Sequence, residues 1–320
     1  MWHDGSEAVR DIIHLAEEVQ PRLRLLSAAE FLKLELPPRG MILDPWLPEK
    51  GLAMVYSPRG MGKTLLALTS AYAISAGVEF LGFKAPVPRR VLYVDGEMPA
   101  RTMQERLAAI VASFDREPPD PGYFWLLSSD LTDGGLPDFG TLEGQAEFDA
   151  QVGDVDVIFL DNISTLVRSG KENEAEGWAA VQEWALRHRR AGRSIVFIHH
   201  SGKTGAQRGT SKREDVLDTV IVLKRSADYS PDQGARFELH FEKSRGIFGE
   251  AAQSFEARYE LRADAAVWTR TSIADVELAR VVDAFGHGMS FREAARELGM
   301  NKSKVERLKK RAVEKGLLNG

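Results

Sequence analysis

Cysteine is absent from the 320 residues, which excludes disulfides and thiolate-based metal sites. No apolar run reaches the ~18 residues that a membrane-crossing helix needs. The opening stretch MWHDGSEAVRDIIHLAEEVQ has neither a basic n-region nor an apolar h-region, so no signal peptide is expected. Together these absences point to a cytoplasmic protein. Internal repeats and low-complexity tracts are also missing. What remains is ordinary globular composition, 43% hydrophobic and 28% charged. The length suits one large domain of ~200–250 residues with a smaller one.

The net charge of -5 is unevenly spread. Residues 274–320 carry ten Lys/Arg against seven Asp/Glu, a net of +3, which leaves -8 for residues 1–273. An acidic body with a basic end hints at a nucleic-acid-binding appendage. At the other end, Val9, Ile12, Ile13 and Leu15 stand near helical spacing. They predict an amphipathic helix over 5–19, packed on its own domain or docked on a neighbouring subunit. Residues 1–45 are read as an N-terminal segment.

From residue 51, short apolar strands alternate with helical segments. Expected strands are Leu52–Tyr56, Val91–Val94, Val155–Leu160, Ser194–Ile198 and Val216–Leu223; expected helices are Lys63–Ala76, Ala100–Phe114 and Glu174–Arg190. Such alternation predicts an α/β fold with a mostly parallel, doubly covered sheet. Phe237–Glu242 and Ser254–Leu261 read as late antiparallel additions, and 262–274 as a polar bridge to an all-helical end.

The strand Leu52–Tyr56 runs into Ser57-Pro58-Arg59-Gly60-Met61-Gly62-Lys63-Thr64 and then a helix. This order lets loop N–H groups and a helix N-terminus surround a phosphate. Lys63 adds a point charge towards the β- and γ-phosphates, and the Thr64 hydroxyl suits magnesium. Ser57 stands where glycine is usual. Downstream, Val155–Leu160 ends in Asp161, a carboxylate placed to hold the magnesium shell. The expected ligands are therefore ATP and Mg2+.

The segments Gly96-Glu97-Met98-Pro99 and Ile195–Asp215, the latter containing His199-His200, follow in order. With the phosphate loop and Asp161 they resemble the hexameric plasmid replication helicases of the RepA type, within the RecA/DnaB superfamily, over roughly residues 25–250. The resemblance implies a RecA-like core over 46–262. It implies that Glu97 polarises the attacking water and that His200, with His199 as substitute, senses the γ-phosphate. Glu242-Lys243-Ser244-Arg245-Gly246 looks like the paired basic fingers of DnaB-like helicases, which reach a neighbouring subunit's nucleotide. Arg208 competes with Arg245 for that role. By the same resemblance two loops face a central channel holding single-stranded DNA: Ser164–Glu176, with Arg168 and Lys171, and Ser201–Arg213, with Lys203 and Arg208. Neither contains an aromatic residue, so base stacking is not supported.

Over 274–320, Ser290-Phe-Arg-Glu293 reads as a capping box, Gly299 as a turn and Asn301 as the cap of a final helix, Lys302–Lys315. With Val276–Phe285 ahead, three helices are expected around Ala294, Ala295, Leu298, Val305 and Leu308. The pattern resembles bacterial helix-turn-helix units, whose second helix enters the major groove. Lys302, Ser303, Lys304 and Arg307 would be its exposed face, suited to duplex phosphates more than to base edges. A protein-interaction module is the other reading. The functional expectation, by the resemblance, is a ring-forming, hexameric ATPase acting on DNA as a RepA-like helicase. The alternatives are a DNA-bound ATPase switch, or a nucleotide-binding scaffold against which Glu97 argues.

Overall fold

The structure, a computed structural model, describes residues 24–169, 175–201, 215–226 and 228–318, with the backbone alone at 175–177. Two compact units divide between Arg39 and Gly40. That is earlier than the boundary expected at residue 45. The first unit contains α1 (Ala28–Phe31), fixed by a capping box in which the Ser27 hydroxyl accepts the Glu30 N–H and the Glu30 carboxylate accepts the Ser27 N–H. The helix expected over 5–19 lies outside the described residues.

The second unit opens with β1 (Met41–Leu43) and β2 (Leu47–Pro48), an antiparallel pair. Then follow β3 (Leu52–Ser57), α2 (Lys63–Ala76), the small ladder of β4 (Glu79–Phe80) with β5 (Phe83–Lys84), β6 (Val91–Asp95) and α3 (Ala100–Val111). Next come β7 (Phe124–Ser128), α4 (Leu142–Asp149), β8 (Val157–Asp161), α5 (Ile163–Leu166), α6 (Ala175–Arg190), β9 (Ser194–His200) and β10 (Thr219–Lys224). An antiparallel run of β11 (Arg236–Ser244), β12 (Phe255–Arg262) and β13 (Ala265–Ser272) leads to α7 (Ile273–Gly286), α8 (Phe291–Glu297) and α9 (Lys302–Glu314).

Nine strands form one sheet in the order β13-β12-β11-β10-β3-β9-β8-β6-β7. The six from β10 to β7 are mutually parallel and the remaining pairings are antiparallel. One strand, β9, separates the phosphate-loop strand β3 from β8, the RecA-like arrangement. The unbroken apolar runs have a direct cause. Ala53 and Val55 enter the core beneath α2, while Leu52, Met54 and Tyr56 enter a second core on the other face. Both faces of β3 are covered, so alternation with polar residues is not needed.

Two expectations need correction. Residues 262–274 are not a polar bridge: Ala265–Ser272 is the edge strand β13, paired along its length with β12. The hairpin turns at Ala263 and Asp264, both at positive φ (47° and 66°), a pair lacking the Asn-Gly or Asp-Gly signature. Trp268 fixes β13 inward, packing on Phe80, Phe237 and Tyr259 and donating its Nε1–H to Thr69 Oγ1 at 3.2 Å. The stretch beginning at Ser164, expected as a loop, starts as helix, since α5 extends to Leu166.

The last three helices close on small clusters, Ala284 with Ala294 and Val305, and Leu278 and Val281 with Leu308 and Ala312. The Ser290–Glu293 capping box forms, and Asn301 Oδ1 accepts the Lys304 N–H at 2.8 Å. Among the described residues no helix is long and apolar enough to cross a membrane.

Candidate nucleotide site

The phosphate loop joins the carboxyl end of β3 to the start of α2. Gly62 has φ +100°, and a Cβ there would stand 2.9 Å from Ala235 Cβ and 3.1 Å from the Phe237 ring. Glycine is required by both backbone and space. Met61 points the other way, 1% exposed in the core, so it anchors the loop and offers a ligand only backbone. No side chain caps the N-terminus of α2, whose cap residue is Gly62 itself. Its first N–H groups, with the positive end of the helix dipole, suit an anion.

Lys63 is 5% exposed and donates to the Ser57 carbonyl (3.0 Å), the Ser57 hydroxyl (3.1 Å) and the Pro58 carbonyl (2.9 Å). Burial pulls its pKa down to about 8, against the opposing pull of Asp161 and Glu97. Ser57 thus contributes what glycine cannot, a hydroxyl acceptor for the lysine. On the exposed side, Arg225 donates to the Gly60 carbonyl at 2.8 Å and stacks on Tyr229 at 3.8 Å, a brace the sequence reading missed.

Beside the loop, the strand order aligns three strand ends. Asp95 at the end of β6 is in register with Asp161 at the end of β8. Asp161 is 4% exposed and accepts hydroxyl donors from Tyr93, at 2.7 Å, and from Thr64. Burial raises its pKa, opposed by those hydroxyls and by Lys63. Burial, with Asp161 as neighbour, pushes Asp95 up to about 6. Thr64 and Asp161 therefore meet, as a shared magnesium shell requires. The donor set is hard oxygen with few carboxylates, which fits Mg2+ completed by phosphate and water. Among the described residues no cluster of three or more His, Cys, Asp or Glu forms a separate all-protein metal cage.

Glu97 follows β6 with its side chain 52% exposed, and His200 ends β9. Their contact is His200 Nε2 to Glu97 Oε2 at 3.4 Å. Burial is the main cause holding the His200 pKa below its ordinary value, with Lys63 adding to it. The imidazole is therefore neutral near pH 7. Strand alternation sends His199 into the interior, 1% exposed, and leaves His200 on the cleft. Arg59, Lys63, Thr64, Glu97, Asp161 and His200 all line one cleft of about 470 Å³, together with Thr102 and Arg106, which the sequence reading did not single out.

Other expected residues lie elsewhere. Lys243 and Arg245 do not line this chain's cleft. Ser244 pairs with Thr219, which pairs in turn with Ala53, so Arg245 sits beyond the entry end of β3, opposite the phosphate loop. Its guanidinium donates to the Asp215 carbonyl at 2.9 Å, and the Lys243 ammonium to the same oxygen at 3.4 Å. Arg168 is exposed but donates to the Leu136 carbonyl at 2.6 Å. Lys171, Lys203 and Arg208 lie outside the described residues. On α9, Lys302, Ser303 and Arg307 are exposed as expected. Lys304 is not: it is half-buried against Glu277 of α7, at 2.5 Å. Its place one turn before Leu308 turns it towards the helix interface.

None of the curated proteins matches the sequence. Among solved structures, a KaiC-like protein from Pyrococcus horikoshii is similar at 14% identity and TM-score 0.47, covering 73% of this chain and 98% of that one. The flagellar accessory protein FlaH from Methanocaldococcus jannaschii is similar at 13% identity and TM-score 0.46, covering 69% and 90%. The model of the AAA domain family matches residues 17–206, more than half of the chain, and spans the phosphate loop, Glu97, Asp161 and His200. The chain belongs to the AAA domain family and is a P-loop ATPase.

Proposed function

We propose that this P-loop ATPase assembles head to tail into a ring, acts on DNA and works as a RepA-like helicase. The observation that carries the hydrolytic part is the convergence of Lys63, Asp161, Glu97 and His200 from four neighbouring strands onto one cleft. In this reading Lys63 and the α2 N-terminus hold the β- and γ-phosphates of ATP. Glu97 orients the attacking water and takes its proton as the bond between γ-phosphorus and the ADP oxygen breaks. Thr64 and Asp161 hold magnesium, which when bound neutralises the phosphate oxygens. His200, neutral and beside Glu97, accompanies the change at the γ-phosphate.

The shared site is supported by the position of Arg245. A cation supplied in trans stabilises charge developing on the γ-phosphoryl group and makes turnover depend on assembly. DNA as partner is supported by the +3 C-terminal helices, with Lys302, Ser303 and Arg307 exposed on α9. Arg168 and Lys171, Lys203 and Arg208 extend that reading to single strands in the ring.

A fork-unwinding assay, run with sizing in the presence and absence of ATP, tests the proposal. ATP-dependent unwinding by a ring-sized species supports it. DNA-stimulated hydrolysis without unwinding would point instead to an ATPase switch anchored on duplex by α7–α9.

A further inference from the structure

Asn162 has no part in the site as described so far, yet it stands between two of its functional groups, Glu97 and His200. The sheet runs β9-β8-β6, with His200 ending β9, Glu97 just past β6 and Asn162 directly following β8. Asn162 is 1% exposed and does not line the cleft. Its Nδ2 donates to Glu97 Oε2 and lies 3.2 Å from His200 Nε2. Whether His200 Nε2 accepts from this Nδ2 or donates to Glu97 Oε2 is set by its tautomer. One buried amide group therefore touches both side chains, while its own Oδ1 is buried without a hydrogen-bond partner. An orphaned buried carbonyl oxygen is destabilising. The amide is kept in this orientation by what its nitrogen holds.

We infer that Asn162 is a positioning residue that holds the Glu97 carboxylate and the His200 imidazole to one another, so that water activation and the strand end at His200 move together. The inference rests on the hydrolytic reading of Glu97. Glu97 is half-exposed at a strand end, and a free carboxylate there has several rotamers. Pinning one oxygen through Nδ2 leaves the other to face the water. Tying the same nitrogen to His200 means that either residue can shift only by releasing or carrying the other. The amide does not line the cleft, so its effect falls on turnover and leaves ground-state binding alone.

The test uses the full chain with Asn162→Ala, measuring affinity for a fluorescent ATP analogue, kcat and thermal stability. Expected are a nucleotide Kd within about threefold of wild type and a kcat lower by ~10–10²-fold, since a displaced catalytic group costs on that order. In the Glu97→Gln background the same change should lower kcat by less than about threefold, because the group it positions is already lost, and in the His200→Ala background by less than in wild type, because one of its two partners is gone. A merely structural role would give the full drop in every background. If Asn162→Ala does not fold, Asn162→Ser, which keeps a donor in less volume, replaces it and should lower kcat, though by less than Glu97→Gln does. Unchanged kcat in either variant, or additive effects in the double variants, overturns the inference. Should wild type itself fail to hydrolyse ATP, or Glu97→Gln hydrolyse it normally, the catalytic reading of Glu97 falls, a result separable from failure of Asn162 alone.

Discussion

The ammonium of Lys63 stands 3.1 Å from the Ser57 hydroxyl, so the residue that departs from glycine at the head of the phosphate loop is also one of the lysine's acceptors. The cation that should meet phosphate is held by its own loop.

That arrangement predicts a pH effect. The folded pKa of Lys63 is about 8, below the ordinary 10.5, because burial disfavours its charge. Between these values the unfolded chain binds more protons at this site, so its contribution to stability rises with pH across that window. Phosphate binding needs the charged form and runs the other way. Affinity for an ATP analogue should weaken by up to ~10-fold per pH unit above 8. Lys63→Arg, whose guanidinium stays charged, should show a flat profile from pH 7 to 9 in equilibrium titrations, whatever its absolute affinity.

Arg245 and Glu97 should complement one another between chains. Arg245→Ala should bind ATP and fail to turn it over, and Glu97→Gln should be slower by at least ~10²-fold. Mixed, they should regain part of the wild-type rate, because some interfaces then combine both intact groups. Absence of rescue at every ratio, with subunit exchange demonstrated, would move the finger to Arg208.

The two faces of α9 should behave differently. Lys302→Glu with Arg307→Glu, both exposed, should weaken duplex binding with no loss of stability and lower the salt dependence by roughly two phosphate contacts. Lys304→Glu places like charges together at Glu277 and should destabilise the C-terminal helices by about 1 kcal/mol, read by denaturant unfolding. Equal effects from both changes would contradict this division.

Trp268→Ala should cost about 2 kcal/mol in denaturant unfolding, since it removes a partly buried ring from Phe80, Phe237 and Tyr259. Losing its bond to Thr69 of α2 should add a smaller effect, and nucleotide affinity should stay near wild type.

The parallel half of the fold was legible because its strands are buried on both faces and read as unbroken apolar runs. The phosphate loop was legible because glycine, lysine and threonine there answer to one chemical demand. β13 was not, because Trp268 and Ala266 are its only strongly inward residues and the turn at Ala263-Asp264 carries no signature. β7 was missed for a related reason: Trp125 and Leu126 are exposed on a sheet edge, so their pattern shows no buried face. Asn162, Arg106 and Arg225 were missed because their roles come from neighbours 38 to 165 residues away, which only the folded strand order brings close.

Strand β11 gives the molecule a direction. Ala235, just before it, packs against Gly62 of the phosphate loop, and Arg245, just after it, lies about 30 Å away at ~3.3 Å per residue. In the reading proposed above, the nucleotide socket lies at one end of β11 and the Arg245 plug at the other, so a single copy does not complete its own site. Copies joined plug to socket would chain heterologously, and such a chain either closes or grows as a helix. A small dose of subunits carrying Arg245→Ala should then act as breaks, silencing one junction per copy inserted.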